Sequence, residues 1–168
     1  MKQLFLLRHA KSSRKGSSLP DHDRPLASRG RRAAKAMAPY LREHRIEPAL
    51  ILCSSATRAR QTLDGVAPGF QGSPEVRFES ELYEFSASGL LARLRRIPDA
   101  VPSAMLIGHN PAMERLALDL AGGGPALAEL ANKYPTGALA TLEFPGTWSD
   151  LDADRGELVG FVKPRDLE

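Results

Sequence analysis

Cysteine is almost missing from this chain of 168 residues: Cys53 is the only one, so no disulfide framework can form within it. Its setting, Leu50-Ile51-Leu52-Cys53, is that of a small buried core residue. Long apolar runs are also missing. Nothing approaches the roughly 20 apolar residues of a membrane-spanning helix. The first residues lack the layout of a secretory signal, because Arg8, His9 and Lys11 interrupt the apolar stretch and no small-residue cleavage site follows. The expectation is a cytoplasmic protein without a membrane partner. A dominant charge sign is lacking as well. The 23 Lys and Arg face 20 Asp and Glu, a formal charge of +3, and no long basic run exists, so no nucleic-acid partner is expected. Low-complexity sequence is confined to Lys11 to Pro20, rich in Ser, Lys and Gly, and to Gly122-Gly123-Gly124, both of which read as loops.

What is present has the balance of a soluble globular domain, 42% apolar and 26% charged, over a length that suits one domain with one continuous core. Gln3 to Leu7, Ala49 to Cys53, Val76 to Glu79 and Ala104 to Ile107 are short and apolar with little alternation, the pattern of buried strands. Gly137 to Phe144 and Glu157 to Val162 read as further strands, the first suited to an edge or antiparallel position. Helical patterns lie between them. Ser28 is expected to cap a helix with Ala34, Met37, Ala38 and Leu41 inward. Ser86 or Ser88 is expected to open another with Leu90, Leu91, Leu94 and Ile97 inward, stopped by Pro98. Alternating strands and helices predict a single three-layer α/β/α domain over residues 1–168 with a mostly parallel central sheet.

In such sheets ligands gather beyond the carboxyl ends of the strands. Here the first strand ends in Arg8-His9, the second in Ser54-Ser55 followed by Arg58 and Arg60, and the fourth in Gly108-His109-Asn110. A guanidinium beside an imidazole is poor core material, since both lose hydration on burial. It is good material for holding and attacking a phosphoryl group. Asn110 is a favoured N-cap and Pro111 suits the first helical position, so His109 stands at the threshold of an anion site. A phosphomonoester among these groups would be neutralised by Arg8 and Arg58. Neutral His9 could attack phosphorus in line, provided that its other ring nitrogen donates to a carbonyl or carboxylate. A protonated His109 would complement the equatorial oxygens in the transition state. Glu84 is the candidate acid for the leaving group, with Glu79 and Glu81 as rivals.

Other polar residues have plainer readings. Arg60 follows Arg58 by two positions and should face elsewhere on a helix. Arg93, Arg95 and Arg96 are expected on a wet helix face. Asp21-His22-Asp23 has the composition of a metal site, but adjacent residues cannot all reach one ion without an unusual loop, and no second ligand cluster exists. No metal or other cofactor is expected. Trp148 is expected to pack under a turn.

Arg8-His9-Ala10, Ser54-Ser55-Ala56-Thr57-Arg58-Ala59-Arg60-Gln61-Thr62 and Gly108-His109-Asn110 fall in order across most of the chain. Together they resemble the histidine phosphatase superfamily, also called phosphoglycerate-mutase-like. The resemblance implies that fold. It also implies His9 as phosphorylated nucleophile, Arg8, Arg58 and His109 as its phosphate-binding companions, and Lys11, Ser12 and Ser13 as a loop closing over the phosphate, with Ser12 and Asn110 joining the phosphate ligands. Glu84 aligns with the acid of the family's Leu-x-Glu block, although the glycine and Glu-Gly that usually follow are missing. No insertion that would roof the site lies between Ser80 and Ser103. Arg-His-Ala-Lys-Ser, Asp23-Arg24-Pro25-Leu26, Arg29-Gly30 and Leu82-Tyr83-Glu84 are similar to the short SixA-type phosphohistidine phosphatases. The implied partner is a phosphorylated protein or a small phosphorylated substrate. The competing readings are a phosphatase or mutase of small esters and a non-catalytic module that binds phosphorylated ligands.

Overall fold

Extended backbone sends successive side chains to opposite faces, and Leu4-Phe5-Leu6-Leu7 is apolar on both. Leu4 and Leu6 join one buried cluster, Phe5 and Leu7 another. Such a strand belongs inside a sheet covered on both sides. That is its place in the computed structural model, which describes residues 1–14 and 18–167. The elements are β1 (Lys2–Arg8), α1 (Ser28–Glu43), β2 (Leu50–Ser54), α2 (Thr57–Val66), β3 (Glu75–Glu79), α3 (Glu81–Glu84), α4 (Ala87–Arg95), β4 (Ser103–Gly108), α5 (Ala112–Leu120), β5 (Ala121–Gly123), α6 (Leu127–Asn132), β6 (Leu139–Phe144) and β7 (Gly156–Val162).

The strands form one sheet in the order β3-β2-β4-β1-β6-β7-β5, and only β6 runs antiparallel to its neighbours. Leu90 and Leu94 of α4 and Met113, Leu116 and Leu120 of α5 cover one face. Ala34, Met37 and Leu41 of α1 and Ala59, Leu63 and Val66 of α2 cover the other. The result is the expected three-layer, mostly parallel arrangement. Trp148 is fully buried beneath its turn, its indole donating to the Val101 carbonyl at 2.8 Å.

Four expectations need correction. The third strand is not buried: β3 is an edge, paired only with β2, and Val76 and Phe78 stay 39% and 45% exposed. The Arg60 guanidinium lies 4.4 Å from the Phe78 ring centre, a cation–π contact that partly shields that face. The triple glycine is no plain loop, since β5 pairs with β7 there. A Cβ on Gly122 would fall 2.4 Å from the Asp154 carbonyl oxygen, and Gly124, at φ +127°, lies equally tight against Leu158, so glycine permits the pairing. Ser28 does not cap α1; Ala27 holds that position, and Ser28 Oγ accepts from Arg31 Nη2 at 2.9 Å. Ser86 does cap α4, accepting from the Gly89 amide. Arg93 is not wet: it is 7% exposed and grips Glu79 through Nε and Nη2 at 2.7 and 3.0 Å. Its place beside Leu94, one turn after Leu90, carries it inward, and the Glu79 carboxylate supplies the partner that a buried guanidinium requires.

The segment after β1 is fastened to the start of α1. Ala27 N–H donates to the Lys11 carbonyl at 2.9 Å, Ser13 N–H donates to Pro25 at 2.8 Å, and Ser12 bridges Leu26. Gly30 allows this approach, since a Cβ there would lie 2.0 Å from the Lys11 oxygen. Alanine ordinarily stabilises a helix interior relative to glycine. Gly30→Ala should nevertheless destabilise by about 1–3 kcal/mol through overpacking, read as a lowered urea midpoint. An unchanged or raised midpoint would mean that the contact does not hold the loop.

Candidate active site

Register brings the polar strand ends together. Arg8 of β1 lies beside Gly108 of β4, so His9 and His109 leave the sheet as neighbours, while Cys53 opposite Ile107 sets Ser54 level with them. The imidazole ring centres are 5.1 Å apart. His9 is 7% exposed and its Nδ1–H donates to the Ala10 carbonyl at 2.7 Å. A carbonyl only accepts, so this bond fixes the tautomer that leaves a lone pair on Nε2. Burial, helped by the positive charges of Arg58, Arg8 and Arg24, pushes the His9 pKa down to about 4 against the opposing Ala10 bond.

His109 Nε2 lies 2.8 Å from Ser54 Oγ, which also accepts the Ala56 amide at 3.2 Å. When the Ser54 hydroxyl donates to Nε2, Nδ1 carries the ring's proton. Burial first, then His9 and Arg58, push the His109 pKa down to about 3. Burial thus favours the neutral form of His109 near pH 7.

Arg58 leaves the first turn of α2, buried, with Nη1 donating to the Asp21 carbonyl at 2.8 Å and Nη2 to Asp21 Oδ2 at 3.0 Å. Tyr83 Oη donates to the same Oδ2 at 2.6 Å, and Arg24 Nε reaches Oδ1 at 3.0 Å. The Tyr83 hydroxyl, with Arg58 and Arg24, holds the Asp21 carboxyl well below the usual carboxylate range. The Tyr83 ring stands edge-on to both His109 and His22, and His22 Nε2 lies 2.8 Å from Ser55 Oγ. Asp21 and His22, read from composition as a doubtful metal cluster, thus form a turn of 3-10 helix that walls the pocket.

The remaining candidates are distributed unevenly. Arg8 Nη1 and Asn110 Nδ2 both donate to the Tyr134 carbonyl, at 2.9 and 3.2 Å. Asn110 is not the N-cap of α5, since the helix begins two residues later and Pro111 precedes it; Asn110 Oδ1 instead accepts the Glu114 amide at 3.1 Å. Ser12 is half-buried on the loop leaving β1, and Lys15, Gly16 and Ser17 of that loop lie outside the described residues. Glu84 is exposed at the end of the one-turn α3, with no hydrogen bond or ion pair among the described residues. Leu82 turns into the core and Tyr83 into the pocket, which leaves Glu84 outward. Glu81 is exposed too, and Glu79 is engaged by Arg93.

Sequence reasoning missed Asp21, Ser54 and Tyr83 as parts of this wall. The signal lies in the Leu82-Tyr83-Glu84 block, whose tyrosine rather than its carboxylate faces the pocket. Three buried side-chain nitrogens lack a hydrogen-bond partner among the described residues: Arg8 Nε, Arg58 Nε and His109 Nδ1. An unmet buried donor costs about 1–3 kcal/mol. The two guanidinium nitrogens, and His109 Nδ1 in the tautomer in which it carries the proton, are donors that an oxyanion with several acceptor oxygens would satisfy.

A family model described as the histidine phosphatase superfamily (branch 1) matches residues 4–135. A Mycobacterium tuberculosis protein of uncharacterized function is 38% identical over 163 residues, covering 95% of this chain and all of the relative. The phosphohistidine phosphatase SixA of Escherichia coli is 28% identical over 142 residues, covering 83% of this chain and 84% of its own. Among solved structures, a candidate phosphohistidine phosphatase SixA from Nakamurella multipartitia superposes with a TM-score of 0.83 at 31% identity, over 97% of this chain and 96% of that one. With Arg8, His9, Arg58 and His109 standing where its three strand-end motifs converge, the chain belongs to the histidine phosphatase superfamily and is a hydrolase of phosphorylated substrates.

Proposed function

We propose that the substrate is phosphohistidine on a protein, and that hydrolysis passes through phospho-His9 without a metal, in the cytoplasm. The observation that carries this reading is the set of three buried nitrogens without a partner among the described residues, on Arg8, Arg58 and His109, at the strand ends that carry an imidazole whose tautomer the Ala10 carbonyl sets. His9 Nε2 attacks phosphorus, and the bond from phosphorus to the substrate nitrogen breaks, its electron pair leaving with the departing imidazole. Water then attacks phospho-His9, the P–N bond breaks back to His9, and inorganic phosphate departs. Arg8, Arg58 and the His109 N–H complement the charge on the equatorial oxygens in both steps. Asn110 holds the Tyr134 carbonyl alongside Arg8, and Ser12 belongs to the loop over the phosphate.

Leaving-group chemistry favours a phosphoramidate. Asp21 is ionised and committed to Arg58 and Tyr83, hence a poor acid. Glu84, the carboxyl group we assign to protonating leaving oxygens, is exposed. An imidazole leaving group can take its proton from solvent on the nitrogen remote from phosphorus, so it depends least on a placed acid. Small phosphate esters are the second reading.

His9→Ala should lose at least about a thousandfold in kcat on an aryl phosphate and on a phosphohistidine protein, with wild-type turnover unchanged by excess chelator. Turnover by His9→Ala at the wild-type rate would remove the covalent route. Glu84→Gln should slow alkyl phosphate esters while sparing phosphohistidine; equal loss on both, or no loss on the esters, would remove Glu84 from leaving-group protonation.

The lowered imidazole pKa values carry a pH test. His9 is depressed, so the unprotonated nucleophile persists as pH falls to about 4. Carbon-13 NMR titration of the imidazoles should place His9 at about 4 and His109 at about 3. Because the unfolded chain takes up these protons near pH 6.5, stability should decline as pH drops through the interval between there and the folded values. A His9 inflection near 6.5 would show that the ring is not desolvated as described.

A further inference from the structure

A groove of about 850 Å³ opens beside the phosphate pocket, between α1, the segment joining α6 to β6, and the residues after β7. It touches the pocket through Arg8, and its walls carry Lys11, Arg29, Arg32, Lys133, Lys163 and Arg165 against one carboxylate, Glu129. Lys163 is paired with Glu129 at 2.6 Å and Arg8 is held by the Tyr134 carbonyl. The other five cationic side chains have no hydrogen bond or ion pair among the described residues. Seven cations against one acid exceed the +3 of the whole chain, so the rest of the molecule is net acidic and the positive charge is focused here. Unpaired like charges repel one another in the folded state, and their convergence beside a phosphate site calls for an anionic partner.

The character of the lining selects the kind of partner. Lys11, Arg29, Arg32, Lys133 and Arg165 are exposed, long and adaptable, unlike the buried preformed donors of a small-ligand subsite. The uncharged lining includes Ala33, Ala36, Pro135, Thr136 and Leu167 and holds no aromatic ring, so there is nothing for nucleobases to stack on. Alanine, proline and leucine surfaces suit a polypeptide. We propose that this groove docks an acidic protein surface, the carboxylate-rich region flanking the phosphorylated residue, while the phosphoryl group reaches Arg8 and His9. The proposal rests on the substrate being a protein.

The test uses peptides with one phosphohistidine in acidic, neutral or basic flanks, and a matched set bearing phosphotyrosine. Wild type should prefer acidic over basic flanks by at least about tenfold in kcat/KM at low salt. The preference should collapse at about 0.5 M salt, where screening shortens to a few ångströms. The double variant Arg29→Glu with Arg32→Glu, and separately Lys133→Glu, should reduce or invert the preference while turnover of p-nitrophenyl phosphate stays within about twofold of wild type. Poly-glutamate should inhibit more strongly than an oligonucleotide of equal charge. Indifference to flanks in both sets, a preference that survives charge reversal, or stronger inhibition by the oligonucleotide would overturn the proposal. Hydrolysis of phosphotyrosine peptides alone, with acidic flanks preferred, would refute phosphohistidine as substrate and leave the groove standing.

Discussion

Desolvation of positive and potentially positive groups at one end of a parallel sheet is the constraint on which the rest of the site depends. Two guanidinium groups and two imidazoles share a cleft in which each would repel the others if all were charged. Burial depresses both imidazoles and so favours their neutral forms, and the same burial leaves His9 with the unprotonated nitrogen that the proposed attack on phosphorus requires. Electrostatic economy and chemistry coincide because a desolvated cleft cannot sustain four positive charges. A phosphoryl dianion would reverse the balance: it would supply negative charge next to permanently ionised guanidinium groups and acceptors for nitrogens that have no partner among the described residues.

Arg58 has a counter-ion in Asp21, and that pairing shapes the pocket. Asp21 meets Arg58 through a backbone oxygen and a carboxylate oxygen, leaving Nε free. The guanidinium is thereby oriented by one pair of contacts and retains a donor for another ligand. Tyr83 completes the clasp by bonding to Asp21 and standing edge-on to His109, so α3 acts on the site through its aromatic side chain while its carboxylates point outward. Thr62 adds a further tie: its hydroxyl accepts the Ala10 amide and donates to the Arg58 carbonyl, joining the loop that fixes His9 to the helix that carries Arg58.

The parts legible in the sequence are those where local pattern and tertiary role agree. β1 and β4 are apolar on both faces, which reveals their central position, and their polar ends reveal the pocket because a parallel register sets Arg8 opposite Gly108. Illegible were features decided by a distant partner. Val76 and Phe78 look like core residues, and only the sheet order shows that no strand lies beyond them. Arg93 looks solvated until Glu79 is brought to it across the segment, including α3, that joins β3 to α4. Asp21 and Tyr83 are separated by 61 intervening positions in the chain, and no periodicity reports that one hydroxyl and one carboxylate will meet. Glycines at 122 and 124 signal flexibility in sequence, whereas in the fold they permit close contact with other backbone.

The division between pocket and groove gives the molecule two electrostatic regimes with different physics. In the pocket, interactions are short, desolvated and directional, so they respond little to salt and strongly to the exact position of a nitrogen. In the groove, exposed arginines and lysines act at longer range, respond steeply to salt and tolerate variation in the partner's geometry. Arg8 belongs to both, with Nη1 fixed on the Tyr134 carbonyl, Nε buried without a partner among the described residues, and the residue lining the groove. A lone buried phosphate pocket would treat any phosphorylated group that fits in much the same way. Coupling it through one arginine to a broad basic surface lets recognition depend on what surrounds the phosphate, without altering the geometry of the pocket that holds the phosphoryl group.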